Sequence, residues 1–128
     1  MKALFEAIRS AYLDSGMTDY LTDLYLTQAP VRSVFPYGVM QLVSGMANDH
    51  ATSKHFTEDR LVQFNLFDDA PSMSRLLEVY AELIATFDFA ALVVAGTTAL
   101  SCVRESTLQT RVEDVWMINV LYRIKTRI

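Results

Sequence analysis

RLVQFNLF, residues 60–67, is the stretch that decides the fold. Val62, Phe64 and Leu66 point to one side of an extended chain, and Leu61, Gln63, Asn65 and Phe67 point to the other. Such period-two alternation is typical of a strand that packs one face on a core. It predicts a strand over residues 60–67, within the longer alternating segment 55–68.

The chain before this strand predicts two more β segments. Residues 24–27 are short and β-prone, and Ala29-Pro30 ends them because proline cannot donate to a β-ladder. Residues 37–44 carry apolar side chains on both faces, which is typical of a central strand. The following stretch, GMANDHATS at 45–53, is small and polar and predicts a turn-rich connection.

The chain after residue 68 predicts a long hairpin. One strand is expected near residues 97–106 and the other over 112–128, with the turn at 108–111. The second strand places apolar side chains on one face and polar or basic ones on the other. The apolar set is Trp116, Ile118, Val120, Tyr122 and Ile124, and the polar set is Asn119, Arg123, Lys125 and Arg127.

Helical spacing of apolar residues predicts two helices, over 2–14 and 73–87. Ser72 is the expected N-cap of the second helix. Its expected apolar face consists of Leu76, Leu77, Tyr80, Leu83, Ile84 and Phe87. Because strands and helices do not alternate as βαβ units, we expect one α+β domain over 1–128, with a mainly antiparallel four- or five-stranded sheet and both helices packed on one face.

The composition predicts a folded protein with more apolar material than its own surface requires. Of its 128 residues, 52% are hydrophobic and 20% charged, and the mean hydropathy is +0.20. These values exclude intrinsic disorder. Glu6 and Arg9 interrupt the N-terminal apolar stretch, and no segment reaches the ~20 apolar residues of a spanning helix, so we expect a soluble protein without membrane anchor.

The charge is negative overall but unevenly distributed. Residues 1–103 hold 6 basic and 12 acidic side chains, a balance of −6, whereas residues 104–128 hold 5 and 3, a balance of +2. A net charge of −4 argues against a broad basic surface for nucleic acid. Arg123, Lys125 and Arg127 lie on one side of the last strand, where they face phosphates or an acidic neighbour, or form a solvated strand face or edge.

The sequence shows no arrangement typical of a catalytic nucleophile or a metal site. Cys102 is the lone cysteine, which excludes an internal disulfide, and a buried inert thiol is favoured over a nucleophile activated by His50 or His55. The two histidines are five residues apart in a polar loop, a spacing that matches no preformed metal geometry.

Phosphate-binding and acid–base motifs are also missing. The four glycines are scattered, so no phosphate loop is formed. Asp68-Asp69 is interpreted as a strand end that leads into the next helix. We therefore expect no enzyme activity and no cofactor.

Several local phrases, together with the layout, resemble the tail terminator, or tail-completion, family of long-tailed bacteriophages. These are Ala29-Pro30 closing a short β segment, FPYGV at 35–39 opening a strand, RLVQFNLF at 60–67 and VLYRI at 120–124 closing the terminal hairpin. With a helix at each expected place, the resemblance spans nearly the whole chain. Related neck and tail-joining proteins share this patterning.

The resemblance implies a structural virion protein located in the tail or neck and assembled in the host cytoplasm. Its expected partners are copies of itself in a ring, commonly of six, the tail tube protein and the head–tail connector, while DNA passes through without specific binding. We expect Asn48, Asp49, His50, Arg123, Lys125 and Arg127 at the contacts. Other neck components, such as head-closure or adaptor proteins, and a small enzyme or ligand-binding domain remain alternatives.

Overall fold

The computed structural model describes residues 2–49, 56–95 and 98–127, and two helices and five strands are its main elements. A short 3-10 turn, Gly16–Asp19, follows the first helix. In chain order the elements are α1 (Lys2–Leu13), β1 (Leu24–Leu26), β2 (Tyr37–Asp49), β3 (Phe56–Asp68), α2 (Ser74–Phe87), β4 (Thr98–Val112) and β5 (Val115–Arg127).

The strands form one sheet in the order β1-β2-β3-β5-β4. All neighbouring strands are antiparallel except β1, which runs parallel to β2 with Leu24 opposite Gly38. A Cβ on Gly38 would lie 2.9 Å from Leu24 Cδ1, so the absence of a side chain at Gly38 leaves the space that the Leu24 side chain fills. The predicted α+β class with a mainly antiparallel sheet is confirmed.

Both helices pack on one face of this sheet, and the hydrophobic core lies between the helices and the sheet. Val62, Phe64 and Leu66 are fully buried, which confirms the alternation read from 60–67. The Phe64 ring lies 4.9 Å from that of Phe87 and 5.7 Å from that of Tyr122, centroid to centroid, and so joins α2 to β5. Each such buried side chain contributes about 1.5–3 kcal/mol relative to exposure.

The buried stripe of α2 differs from the predicted one. Val79 is buried, whereas Leu77 is 42% exposed, because the helix turns the 76, 79, 83 and 87 positions toward the sheet. Ser72 is not the N-cap: Met73 occupies that position without a side-chain hydrogen bond, and the Ser72 hydroxyl accepts from the Ser74 amide at 3.3 Å.

The predicted connection over 45–53 is wrong for its first half. Val43 forms a bulge, after which β2 continues through Gly45 to Asp49, with Met46 opposite Asp59 and Asn48 opposite Thr57. Ladder pairing with β3 outweighs the low β propensity of these small polar residues. His50 and the rest of the predicted connection lie outside the described residues.

The terminal hairpin is longer than predicted and turns later. Its turn is at Glu113-Asp114 and not at 108–111, and Glu113 has a φ of 56°. Val112 therefore ends β4 instead of beginning β5. Two bulges interrupt β4, between Ala99 and Ser101 and between Arg104 and Ser106.

Candidate functional site

One face of the sheet points away from the helices, and we call it the open face. Along β3 and β5, partly exposed side chains on this face alternate with mostly buried side chains on the core face. The partly exposed ones are Asp59, Leu61, Gln63, Asn65, Phe67, Met117, Asn119, Leu121, Arg123 and Lys125. Exposed apolar side chains that adjoin one another and are rimmed by polar ones are typical of interaction surfaces.

One end of the open face is aromatic. The Tyr37 ring lies 5.2 Å from that of Phe67 and 5.2 Å from that of Phe35, and Tyr25 stacks edge-on at 6.1 Å. All four rings are partly exposed. The sequence reasoning missed this cluster, although the period-two spacing of Phe35 and Tyr37 was the signal that predicts it.

The middle of the open face carries side-chain amides. Gln63 Nε2 donates to Asn65 Oδ1 at 2.7 Å. Asn119 lies opposite Asn65 on the next strand, and its Oδ1 is buried without a hydrogen-bond partner among the described residues. The Thr110 hydroxyl on β4 is likewise buried without a hydrogen-bond partner among the described residues. Leaving a buried polar group unsatisfied costs about 1–3 kcal/mol.

The other end of the open face holds the predicted basic residues. Arg123 Nε donates to Glu105 Oε1 at 2.5 Å, and this hydrogen bond raises the pKa of the guanidinium. Lys125 Nζ lies 3.7 Å from Asp59 Oδ1. The structure thus brings the predicted row together on one face, but each of these two residues has an acidic partner on a neighbouring strand.

The other predicted contact residues lie at the same end of the sheet. The backbone of Asn48 is opposite Thr57, which is opposite Arg127 on the far side of β3. Asp49 ends β2, and His50 is outside the described residues. Asn48 and Asp49 are therefore strand residues at the charged end of the sheet instead of loop residues.

Cys102 is a buried core residue of β4 with 1% exposure. Burial, and next the charge of Asp88, raise the pKa of its thiol to about 12. The thiol is therefore protonated at neutral pH and unsuited to nucleophilic attack.

Asp68 is fully buried at the end of β3, where it anchors the start of α2. Its carboxylate accepts from Arg75 Nε at 3.0 Å, from a second guanidinium nitrogen, and from the Ala70 amide at 3.3 Å. Asp69 lies 3.8 Å from the same guanidinium. The Asp68-Asp69 pair therefore joins a strand to a helix, as the sequence suggested.

Within the described ranges, no group of three or more His, Cys, Asp or Glu side chains is placed to hold a metal ion. The helices in that part of the chain are too short or too polar to cross a membrane.

No protein-family model matches the sequence, and neither does any curated protein. Among solved structures, a chain from "Virion of native gene transfer agent (GTA) particle" is similar, with a TM-score of 0.69 and 14% sequence identity. The match covers 94% of this chain and 91% of that chain. At this identity the likeness shows a shared fold.

Proposed function

We propose that this chain is a structural protein of a phage-type virion, a tail terminator that forms a ring at the end of the tail tube. In this role it ends polymerisation of the tube and joins the tail to the head connector. The observation that carries the proposal is the fold likeness to a virion chain, which extends over nearly all of both molecules. The resemblance of the local sequence phrases to the tail terminator family supports the same role.

The open face supports a role in assembly. Partly exposed rings of Tyr37 and Phe67 lie next to each other on this surface, 5.2 Å apart between centroids. A neighbouring protein that covers this face would remove both rings from water. We assign the open face to contact with the tail tube protein or the connector, which leaves the edges of the sheet for copies of the chain.

The electrostatics favour passage of DNA over its retention. The chain has a net charge of −4, and Arg123 and Lys125 are engaged with Glu105 and Asp59. We therefore expect weak binding of duplex DNA without sequence preference. A steep fall in affinity with rising salt, typical of a protein that neutralises several phosphates, would contradict this part of the proposal.

The test is to image the purified full-length chain and to measure its mass. Mass photometry is expected to show one discrete oligomer, for which six copies is the proposed number, and negative-stain images are expected to show a closed ring with a central hole wide enough for duplex DNA. A chain that remains monomeric at all concentrations would overturn the proposal.

Position in the particle separates a terminator from other neck proteins. We expect the chain at the head-proximal end of the tail tube, and we expect particles lacking it to carry tails of uncontrolled length. Normal tail length with heads that fail to retain DNA would instead assign the chain to head closure.

A further inference from the structure

The linker between α2 and β4 exposes apolar side chains that the core does not need. Its residues 89–95, FAALVVA, carry no charge and alternate in burial. Leu92 and Val94 are buried, whereas Phe89 is 82% and Val93 is 89% exposed. Burial of a phenylalanine side chain is favourable relative to exposure, so this exposed apolar segment is suited to a contact with another protein.

The backbone fixes Phe89 in this outward position. Its φ is 57°, a left-handed value that is rare for a bulky residue and costs about 1–3 kcal/mol. The Phe89 amide donates to the Cys102 carbonyl at 2.8 Å. The preceding Asp88 accepts from the Tyr122 hydroxyl at 2.6 Å and lies 3.4 Å from Arg104 Nη2. These contacts hold the strained turn, so the ring is presented to solvent by a rigid support.

Phe89 lies at the outer edge of β4. Cys102 pairs with Ile124 of β5 on one side of β4, and its carbonyl accepts from Phe89 on the other. Since β4 is the last strand of the sheet, Phe89 lies on the outer side of this edge strand, with its side chain largely exposed.

A groove at the opposite edge of the sheet has the matching chemistry. It lies between α1 and β1, has a volume of about 430 Å³, and has Phe5, Leu24, Leu26 and Met40 among its lining residues. The charged residues of its rim form pairs within the chain, Lys2 with Glu6 at 3.7 Å and Arg9 with Asp23 at 3.2 Å. The groove therefore offers an apolar floor inside an electrically balanced rim.

We propose that Phe89 of one copy inserts into the α1–β1 groove of the next copy and forms the contact that closes the ring. This inference rests on the proposed function. An anchor at one edge and its receptor at the other give a head-to-tail contact, the kind that builds rings. An uncharged segment suits a rim without excess charge, and an apolar cavity of ~150 Å³ already holds a benzene ring.

Disulfide trapping tests this contact directly. The chain carrying both Phe89→Cys and Leu26→Cys is oxidised and run on a non-reducing gel, with each single variant as control. Cys102, the lone native cysteine, is buried and does not compete. We expect the double variant to give a ladder up to the ring's copy number and each single variant to give monomer. A dimer from Phe89→Cys alone would indicate symmetric pairing and overturn the proposal.

Two further variants measure the energy of the contact. Phe89→Ala is expected to raise the concentration at which half the chains assemble by at least ~30-fold, as truncation of an aromatic anchor does. Val93→Ser, which alters an equally exposed residue that lines a small cavity beside α1, is expected to change it by less than ~3-fold. Equal losses in both variants would refute Phe89 as the anchor.

The wild-type chain distinguishes the two proposals. A wild-type ring with neither a ladder nor an effect of Phe89→Ala leaves the proposed function standing and overturns the Phe89 contact. A monomeric wild type overturns the proposed function, and the contact with it.

Discussion

The hydrogen bond between the Tyr122 hydroxyl and Asp88 is expected to stabilise the α2–β4 linker, and the substitution Tyr122→Phe tests this. Tyr122 is fully buried, and its hydroxyl donates to Asp88 Oδ1 at 2.6 Å. Tyr122→Phe keeps the ring contacts with Phe64 and Phe87 and removes only this hydrogen bond. Hydrogen bonds to charged groups contribute about 1.5–3 kcal/mol. Asp88 retains Arg104 and is 24% exposed, so the expected loss is at the lower end, about 1.5–2 kcal/mol.

Urea unfolding at fixed protein concentration, followed by the fluorescence of Trp116, measures this loss. The slope m is expected to stay unchanged while the midpoint falls by ~0.8 M, for a slope of ~2 kcal/mol/M. Hydrogen exchange of the Phe89 amide is expected to accelerate, because Asp88 no longer has this partner and the adjacent bond to the Cys102 carbonyl opens more often.

Asp88→Ala supplies the matched background. In that variant the Tyr122 hydroxyl has lost its acceptor, so adding Tyr122→Phe is expected to be neutral or stabilising. A loss of 1.5–2 kcal/mol in both backgrounds, or a loss below ~0.5 kcal/mol in the wild type, would refute the assignment of this hydrogen bond as the support of the linker.

Two further predictions concern the sheet itself. Gly38→Ala is expected to destabilise the fold by ~1–3 kcal/mol, because the new methyl would lie 2.9 Å from Leu24 Cδ1; an unchanged melting temperature would show that β1 moves away freely. Stability is expected to fall as the pH rises from about 9 toward 12, because burial raises the pKa of Cys102 to about 12 and its folded-state proton is retained after the unfolded thiol has lost its own. Cys102→Ala should reduce this slope, and an unchanged slope would assign the alkaline loss to other groups.

Sequence periodicity predicted the parts of the fold in which burial alternates. The period-two pattern at 60–67 and on the last strand became β3 and β5, because one face of each is covered by helices and the other is not. The parallel pairing of β1 with β2 was not predictable, because the short segment 24–27 carries no local signal for the direction in which it pairs. The continuation of β2 past Gly45 was also missed, because pairing with β3 decides it and local propensity does not.

The contact role of the predicted residues stays a prediction, whereas their placement can be compared with the structure. The sequence grouped Arg123, Lys125 and Arg127 correctly on one face, but the acids that pair with the first two come from other strands, and this depends on register and a bulge. Phe89 was not among the predicted contact residues. Its outward position results from a left-handed backbone and a bond to Cys102, neither of which leaves a periodic signal in the sequence.

The order of chemistry along the open face gives that surface a direction. Aromatic rings around Tyr37 lie at one end, amides around Gln63 in the middle, and the pairs of Arg123 and Lys125 at the other. A partner rotated by 180° would place its apolar groups on the ion pairs and its polar groups on the rings. The free energy needed to desolvate these charges would then exceed the free energy gained from the contact. This order of side chains favours one orientation of a bound partner over the reversed one. The open face alone can therefore set the direction in which a neighbouring protein stacks on it.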